Sequence, residues 1–153
     1  MTTFPMIGTR VIEMEMRKLQ PLRIPGGWTV NFNDFMDIDP SKISDEDDDK
    51  WLFYFSEDLL YISTEITRKR NEQTEIQTLG IDLGWYPEGD PNGSFKLQAI
   101  LNDNWENPLL SFSSRNKDEI VKTLENWLFD KFMPPNRFID EESFRKNHQQ
   151  DKG

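Results

Sequence analysis

Residues 76–101 read IQTLGIDLGW, YPEGDPNG, SFKLQAIL, and this stretch decides the fold. Ile81, Leu83 and Trp85 recur at every second position, and so do Phe95, Leu97 and Ala99. Successive side chains of a strand point to opposite faces, so each set lines one face. Between them Pro87 to Gly93 holds two prolines and two further glycines. Proline presets φ and glycine admits positive φ, so this segment is a connecting turn. The stretch predicts an antiparallel hairpin.

Toward the C-terminus, Asn102 to Pro108 breaks the alternation and Leu109 to Ser113 forms a short strand. Asn116 to Phe132 predicts a helix, with Ile120, Val121, Leu124, Trp127, Leu128 and Phe132 at helical spacing. Asn116 as N-cap and Glu119 three residues later make a capping box, and Pro134-Pro135 ends the helix. Asp140 onward is polar, and residues 140–153 are expected to be a disordered tail.

Toward the N-terminus, Leu59 to Ile66 and the aromatic run Trp51 to Phe55 predict a second hairpin across Ser56-Glu57-Asp58. Thr67 to Glu75 is charged and polar, a loop or a frayed extension of a strand. Trp28, Val30 and Phe32 alternate with polar residues and predict a further strand after the breaker Pro21 to Gly27. Ile12, Met14 and Met16 alternate within residues 11–17, although Glu and Met also favour helix, which leaves that element's type open. The whole predicts an α+β domain over residues 1–139. It has a mainly antiparallel β-sheet of about 5–7 strands and a C-terminal helix packed on one face.

Composition excludes several chemistries. The 153 residues contain no Cys and a single His, so thiol nucleophiles, Cys-ligated zinc and two-His metal sites are absent from the chain. A net charge of −10 argues against autonomous nucleic-acid binding, which relies on clustered Lys and Arg. No apolar run approaches the 18 or more residues of a membrane span, and the N-terminus lacks a signal-peptide pattern, so a cytoplasmic protein is expected.

The charge is local. Residues 34–58 hold ten acids against two lysines, a net of −8, whereas the remaining chain carries 18 acids against 16 bases. Such a block is commonly a solvated loop; alternatively it is a surface complementary to a basic protein. An EF-hand is excluded by position, since a loop starting at Asp45 would need Gly at Lys50 and Glu at Ser56, which leaves only weak, adventitious cation binding by these acids. No cofactor is expected. His148, on the tail, is expected to be exposed, and the serines at 111, 113 and 114 lack a nucleophile-elbow turn. Carboxylate pairs for acid–base hydrolysis are abundant, with Glu57, Asp58, Asp82, Glu88, Asp90 and Asp103 available, but spacing selects none of them.

Trp28, Trp51, Phe53, Phe55, Trp85 and Trp127 sit on periodic faces and are assigned to the core. Tyr86 and Trp105 stand beside turns instead, where exposed aromatics serve as binding anchors, although a Trp105 folded over the sheet edge fits the sequence equally well. The partner-binding residues expected are thus Asp45, Glu46, Asp47, Asp48, Asp49, Glu57 and Asp58 with Tyr86 and Trp105; Trp51 is a further candidate anchor.

Gly80-Ile-Asp-Leu-Gly-Trp-Tyr-Pro-Glu-Gly-Asp-Pro-Asn-Gly93, Trp105-Glu-Asn-Pro108 and Glu125-Asn-Trp-Leu128 together resemble small acidic immunity proteins of bacterial polymorphic toxin systems, including those paired with LXG-type toxins. The resemblance spans residues 25–130. It implies a non-catalytic antitoxin that occludes a cognate toxin, such as a nuclease with a basic active site. Members bind unrelated toxins through different surfaces, so no binding residue carries over. Two rivals accompany this expectation: a structural or regulatory interaction domain with another protein, and a carboxylate-dependent hydrolase.

Overall fold

The computed structural model describes residues 18–134 and 137–152. Five antiparallel strands form one sheet in the order β1-β2-β3-β4-β5: β1 Thr29–Asn33, β2 Leu60–Arg70, β3 Gln73–Tyr86, β4 Ser94–Leu101 and β5 Leu110–Ser114. Three α-helices accompany it: α1 Asp48–Tyr54, α2 Lys117–Asn126 and α3 Glu141–Lys152. The α+β class and the antiparallel sheet expected from the alternation are both present. The first expected element, residues 11–17, lies outside the described residues.

The central hairpin pairs Ile81 with Ala99, Leu83 with Leu97 and Trp85 with Phe95. Each of these six is at most 1% exposed. Residues facing each other across a ladder share a face, so both predicted stripes merge into one inner surface. Leu60 and Ile62 of β2 extend it through their pairing with Leu83 and Ile81. Against this surface α2 buries Ile120 and Leu124.

The helix departs from expectation at both ends. Asn116 Oδ1 accepts hydrogen bonds from the amides of Asp118 (2.9 Å) and Glu119 (3.2 Å). The reciprocal half of the capping box is missing: Glu119 accepts from the Ser114 hydroxyl (2.6 Å), and the Asn116 amide donates to Ser114 Oγ instead. After Asn126 the backbone widens into a π-turn over Trp127–Lys131, closed by the Phe132 amide donating to the Trp127 carbonyl. This added residue per turn lets Trp127, Leu128 and Phe132 all reach the core.

Trp51 to Phe55 is not a strand. It belongs to α1 and its C-cap, with Trp51, Tyr54 and Phe55 buried and Leu52 and Phe53 exposed, so Phe53 is not a core residue. The spacing i, i+3, i+4 is helical, and Asp47 supplies the N-cap by accepting from the Lys50 amide. Trp51, Phe55, Trp85 and Phe95 form a continuous aromatic cluster, with centroids 4.8 Å apart for Phe55–Trp85 and 5.0 Å for Trp85–Phe95. Such pairs contribute about 0.5–1.5 kcal/mol each beyond their buried area. Both indoles are satisfied, Trp51 Nε1 donating to the Ser44 carbonyl and Trp85 Nε1 to that of Asp90.

Of the two alternatives for Thr67 to Glu75, the strand extension is the one present, and most of the segment is ladder. β2 and β3 pair continuously to Arg70↔Gln73, around a two-residue turn with φ of 53° at Asn71 and 65° at Glu72. Positive φ at both central positions matches the twist of a hairpin. Arg68 and Glu75 face each other across this ribbon with an ion pair at 3.0 Å.

The tail is likewise ordered. Glu141–Lys152 is helical, Phe144 stacks on Phe132 with centroids 5.6 Å apart, and Arg145 donates to the carbonyls of Asn107 and Pro108. Phe144 and Arg145, one turn from Glu141, supply the apolar contact and the anchor that mere polarity concealed. His148 is accordingly half-buried, its ring 6.4 Å from Phe144, rather than exposed.

Candidate functional site

The sheet's outer face carries the side chains that alternate with the core stripe: Tyr61 on β2, and Gly80, Asp82 and Gly84 on β3. Tyr61 stands directly opposite Asp82 in the ladder, and Phe32 of β1 stands opposite Tyr61. The two glycines shape this surface. A β-carbon on Gly80 would collide with the Tyr61 ring, and one on Gly84 with the Glu57 carbonyl. Asp82 is consequently walled by a folded-down tyrosine on one flank and by the Glu57–Asp58 backbone on the other.

Trp105, from the β4–β5 turn, completes the enclosure, its ring centroid 6.1 Å from that of Tyr61. That turn is held by Asn102 and Asp103, with φ of 53° and 58°, and by two hydrogen bonds between Asn102 and the Thr78 backbone. The result is an open pocket of about 390 Å³ lined by Phe32, Asp58, Leu60, Tyr61, Asp82 and Trp105. This is at the low end of the roughly 300–1,000 Å³ usual for ligand sites.

The electrostatics are one-sided. Burial, then the neighbouring Asp58 carboxylate, push the Asp82 carboxyl up to about 6, and Lys96 pulls the other way. Burial followed by the charges of Asp103 and Asp82 raises the Tyr61 phenol. Tyr86 is also raised, by burial and then by Asp82, Glu57, Asp58 and Glu88. Among the described residues the Asp82 carboxylate makes no hydrogen bond or ion pair.

The expected partner-binding residues fall into two groups. Glu57, Asp58, Tyr86 and Trp105 gather around the outer face: Tyr86 is 37% exposed and Trp105 47%. The Tyr86 hydroxyl points to the Glu57 carbonyl over a long 3.5 Å, and the Glu57 amide donates to Glu88. Asp45, Glu46, Asp47, Asp48 and Asp49 instead precede or begin α1, whose aromatic residues pack on the opposite, inner face. Trp51 is 1% exposed and is core, not an anchor.

Part of the acid block has a structural cause. Asp47 caps α1 and pairs with Lys50 at 3.6 Å, while Asp48 and Asp49 occupy the first turn, where the helix macrodipole favours negative charge. Asp39 caps the short 3₁₀ turn Pro40–Lys42; its hydrogen bond from Ser41 holds its carboxyl below the usual value. Asp37 pairs at 3.0 Å with Lys117, a buried base that also donates to Gln20. Asp45, Glu46, Glu57 and Asp58 remain as exposed acids outside these caps.

Sequence reasoning named Asp82 only as one of six acids that spacing could not separate, and it missed Tyr61. The available signal was Gly80-Ile-Asp82-Leu-Gly84, in which glycine flanks an acid at both same-face neighbours. Among the described residues no group of three or more His, Asp or Glu could hold a metal ion, and no helix is long and apolar enough to cross a membrane. No family model, curated protein or solved structure matches the chain.

Proposed function

We propose that the chain is a non-catalytic binding protein, an immunity protein that neutralises a cognate bacterial toxin by covering its basic active site with an acidic surface. The observation that supports this reading is the net charge of −8 confined to residues 34–58, with Asp45, Glu46, Asp48, Asp49, Glu57 and Asp58 all exposed. An acidic surface accelerates encounter with a basic one and disfavours acidic competitors. Trp105 and Tyr86, beside the Glu57–Asp58 turn, supply the aromatic contacts that concentrate binding energy. The test is expression of the adjacent gene's product with and without this chain. Toxicity relieved by the wild-type chain and restored by Asp45→Asn/Glu46→Gln/Glu57→Gln/Asp58→Asn supports the reading; a harmless neighbouring product, or unaltered protection by the variant, sinks it.

One observation favours a second reading. Asp58 and Asp82 share a pocket, and an acid held near 6 suits proton donation at neutral pH, as a carboxylate-dependent hydrolase requires. Chromogenic glycosides and esters cleaved equally slowly by the wild type and Asp82→Asn would dismiss it.

A further inference from the structure

The outer-face pocket combines three features that point to one kind of guest. Its walls are aromatic, with Phe32, Tyr61 and Trp105 presenting ring surface. It is also lined by Asp82, a partly buried carboxylate that makes no hydrogen bond or ion pair among the described residues. Asp58 lines it as a second acid, and the charge of Asp103, outside the lining, acts on Tyr61. Asp82 is partly buried and Lys96 attracts it without reaching ion-pair distance, so a cation brought by a ligand would offset its desolvation. Aromatic faces also attract cations.

We propose that this pocket docks a single arginine side chain presented by a protein partner. Arginine fits better than lysine because its planar guanidinium stacks on rings while donating two parallel hydrogen bonds to one carboxylate. Tyr61 and Trp105, tilted 35° to one another, offer the stacking surfaces, and Asp82 and Asp58 the acceptors. Gly80 lets the Tyr61 ring, and Gly84 the Glu57 turn, lie close to Asp82, so these parts of the site are built before the guest arrives. The inference deepens the binding-protein reading, naming the group that reading would place at the centre of its interface.

The test uses the full ¹⁵N-labelled chain and N-acetyl-arginine amide as probe, with the uncharged N-acetyl-citrulline amide as control. The expected result is saturable shifts at the Trp105 indole N–H and the Tyr61 and Asp82 amides. They should centre in the ~10 mM range suited to one isolated contact and be at least about fivefold weaker with citrulline. Asp82→Asn and Trp105→Ala should each weaken the arginine response at least about threefold. Equal responses to the two probes, or shifts confined to residues 45–49, would overturn the pocket. The two readings fail separately. Arginine binding intact in a chain that protects against no toxin overturns the antitoxin function alone. Protection retained by Asp82→Asn, with no probe response in the wild type, overturns the pocket alone.

Discussion

The main-chain carbonyl of Glu57 occupies the space that a β-carbon on Gly84 would fill. This contact sets the Glu57–Asp58 turn against the outer face, and two main-chain hydrogen bonds reinforce it: the Leu59 amide donates to Leu83, and that of Trp85 to Ser56. Gly84→Ala must therefore push the turn off the sheet. The expected cost is about 1–3 kcal/mol, as for other overpacking changes, read as a lower urea midpoint. Gly26, with no atom within 4 Å of its notional β-carbon, serves as control; its alanine variant should match the wild type.

The aromatic cluster under α1 carries a larger share of stability. Phe55→Ala removes contacts to Trp51, Trp85 and Phe95 at once and should cost about 3–5 kcal/mol. Equilibrium unfolding checks this. A loss below about 1 kcal/mol would mean that α1 is not docked on the sheet.

Asp82 gives the stability a definite pH dependence. Its carboxyl titrates near 3.8 when unperturbed and at about 6 in the fold, so between these values the folded chain holds more protons than the unfolded one. Stability from this group is complete below about pH 4 and is lost as the pH rises through about 6. Asp82→Asn should leave stability unchanged at pH 3.5 and raise it by about 1 kcal/mol at pH 8, a figure discounted for the carboxylate's partial exposure. Urea titrations of both proteins at the two pH values decide it; a variant less stable at pH 8 refutes the assignment.

Asp47 and Asp45 are neighbours in sequence with different duties. Asp47→Ala removes the α1 cap and should cost about 1 kcal/mol, whereas Asp45→Ala should change stability by less than about 0.5 kcal/mol. Matching losses in thermal melts would contradict the separation of structural from free acids.

Phe144 ties α3 to the domain through Phe132. Phe144→Ala should release that helix while leaving the sheet intact, which hydrogen exchange resolves: α3 amides lose protection, and those of β3 and β4 keep it. Slow exchange retained throughout α3 would assign the anchoring to Arg145 alone.

The central hairpin was legible because both of its strands bury one face, leaving unbroken alternation from Ile81 to Trp85 and from Phe95 to Ala99. Trp51 to Phe55 was not, since five consecutive apolar residues carry no period, and its cap, Asp47, stands in a run of acids in which a capping carboxylate and a solvated one are identical in sequence. Asn71-Glu72 hid a turn because both φ values are positive at residues other than glycine. The site was half legible. Tyr86 and Trp105 stood out beside turns and do border the outer face, as do Glu57 and Asp58. Asp82 and Tyr61 occupied outward strand positions, where alternation forecasts only solvent; their meeting depends on the β2–β3 register, which no single strand encodes.

Strand β2 begins two residues after Asp58 and ends in Arg68-Lys69-Arg70, all three exposed at the far end of the ribbon. Ten residue steps at about 3.3 Å place the two ends of β2 roughly 33 Å apart. Glu75 pairs with Arg68 and Arg70, and Glu65 and Glu72 are exposed on the same half of the ribbon, so three acids offset the three bases there and the net negative charge lies off centre, toward the Asp58 end. In the field of a highly charged body an anion charged off centre experiences a torque before any surface touches, so the Asp58 end turns toward a positive surface and the far end toward a negative one.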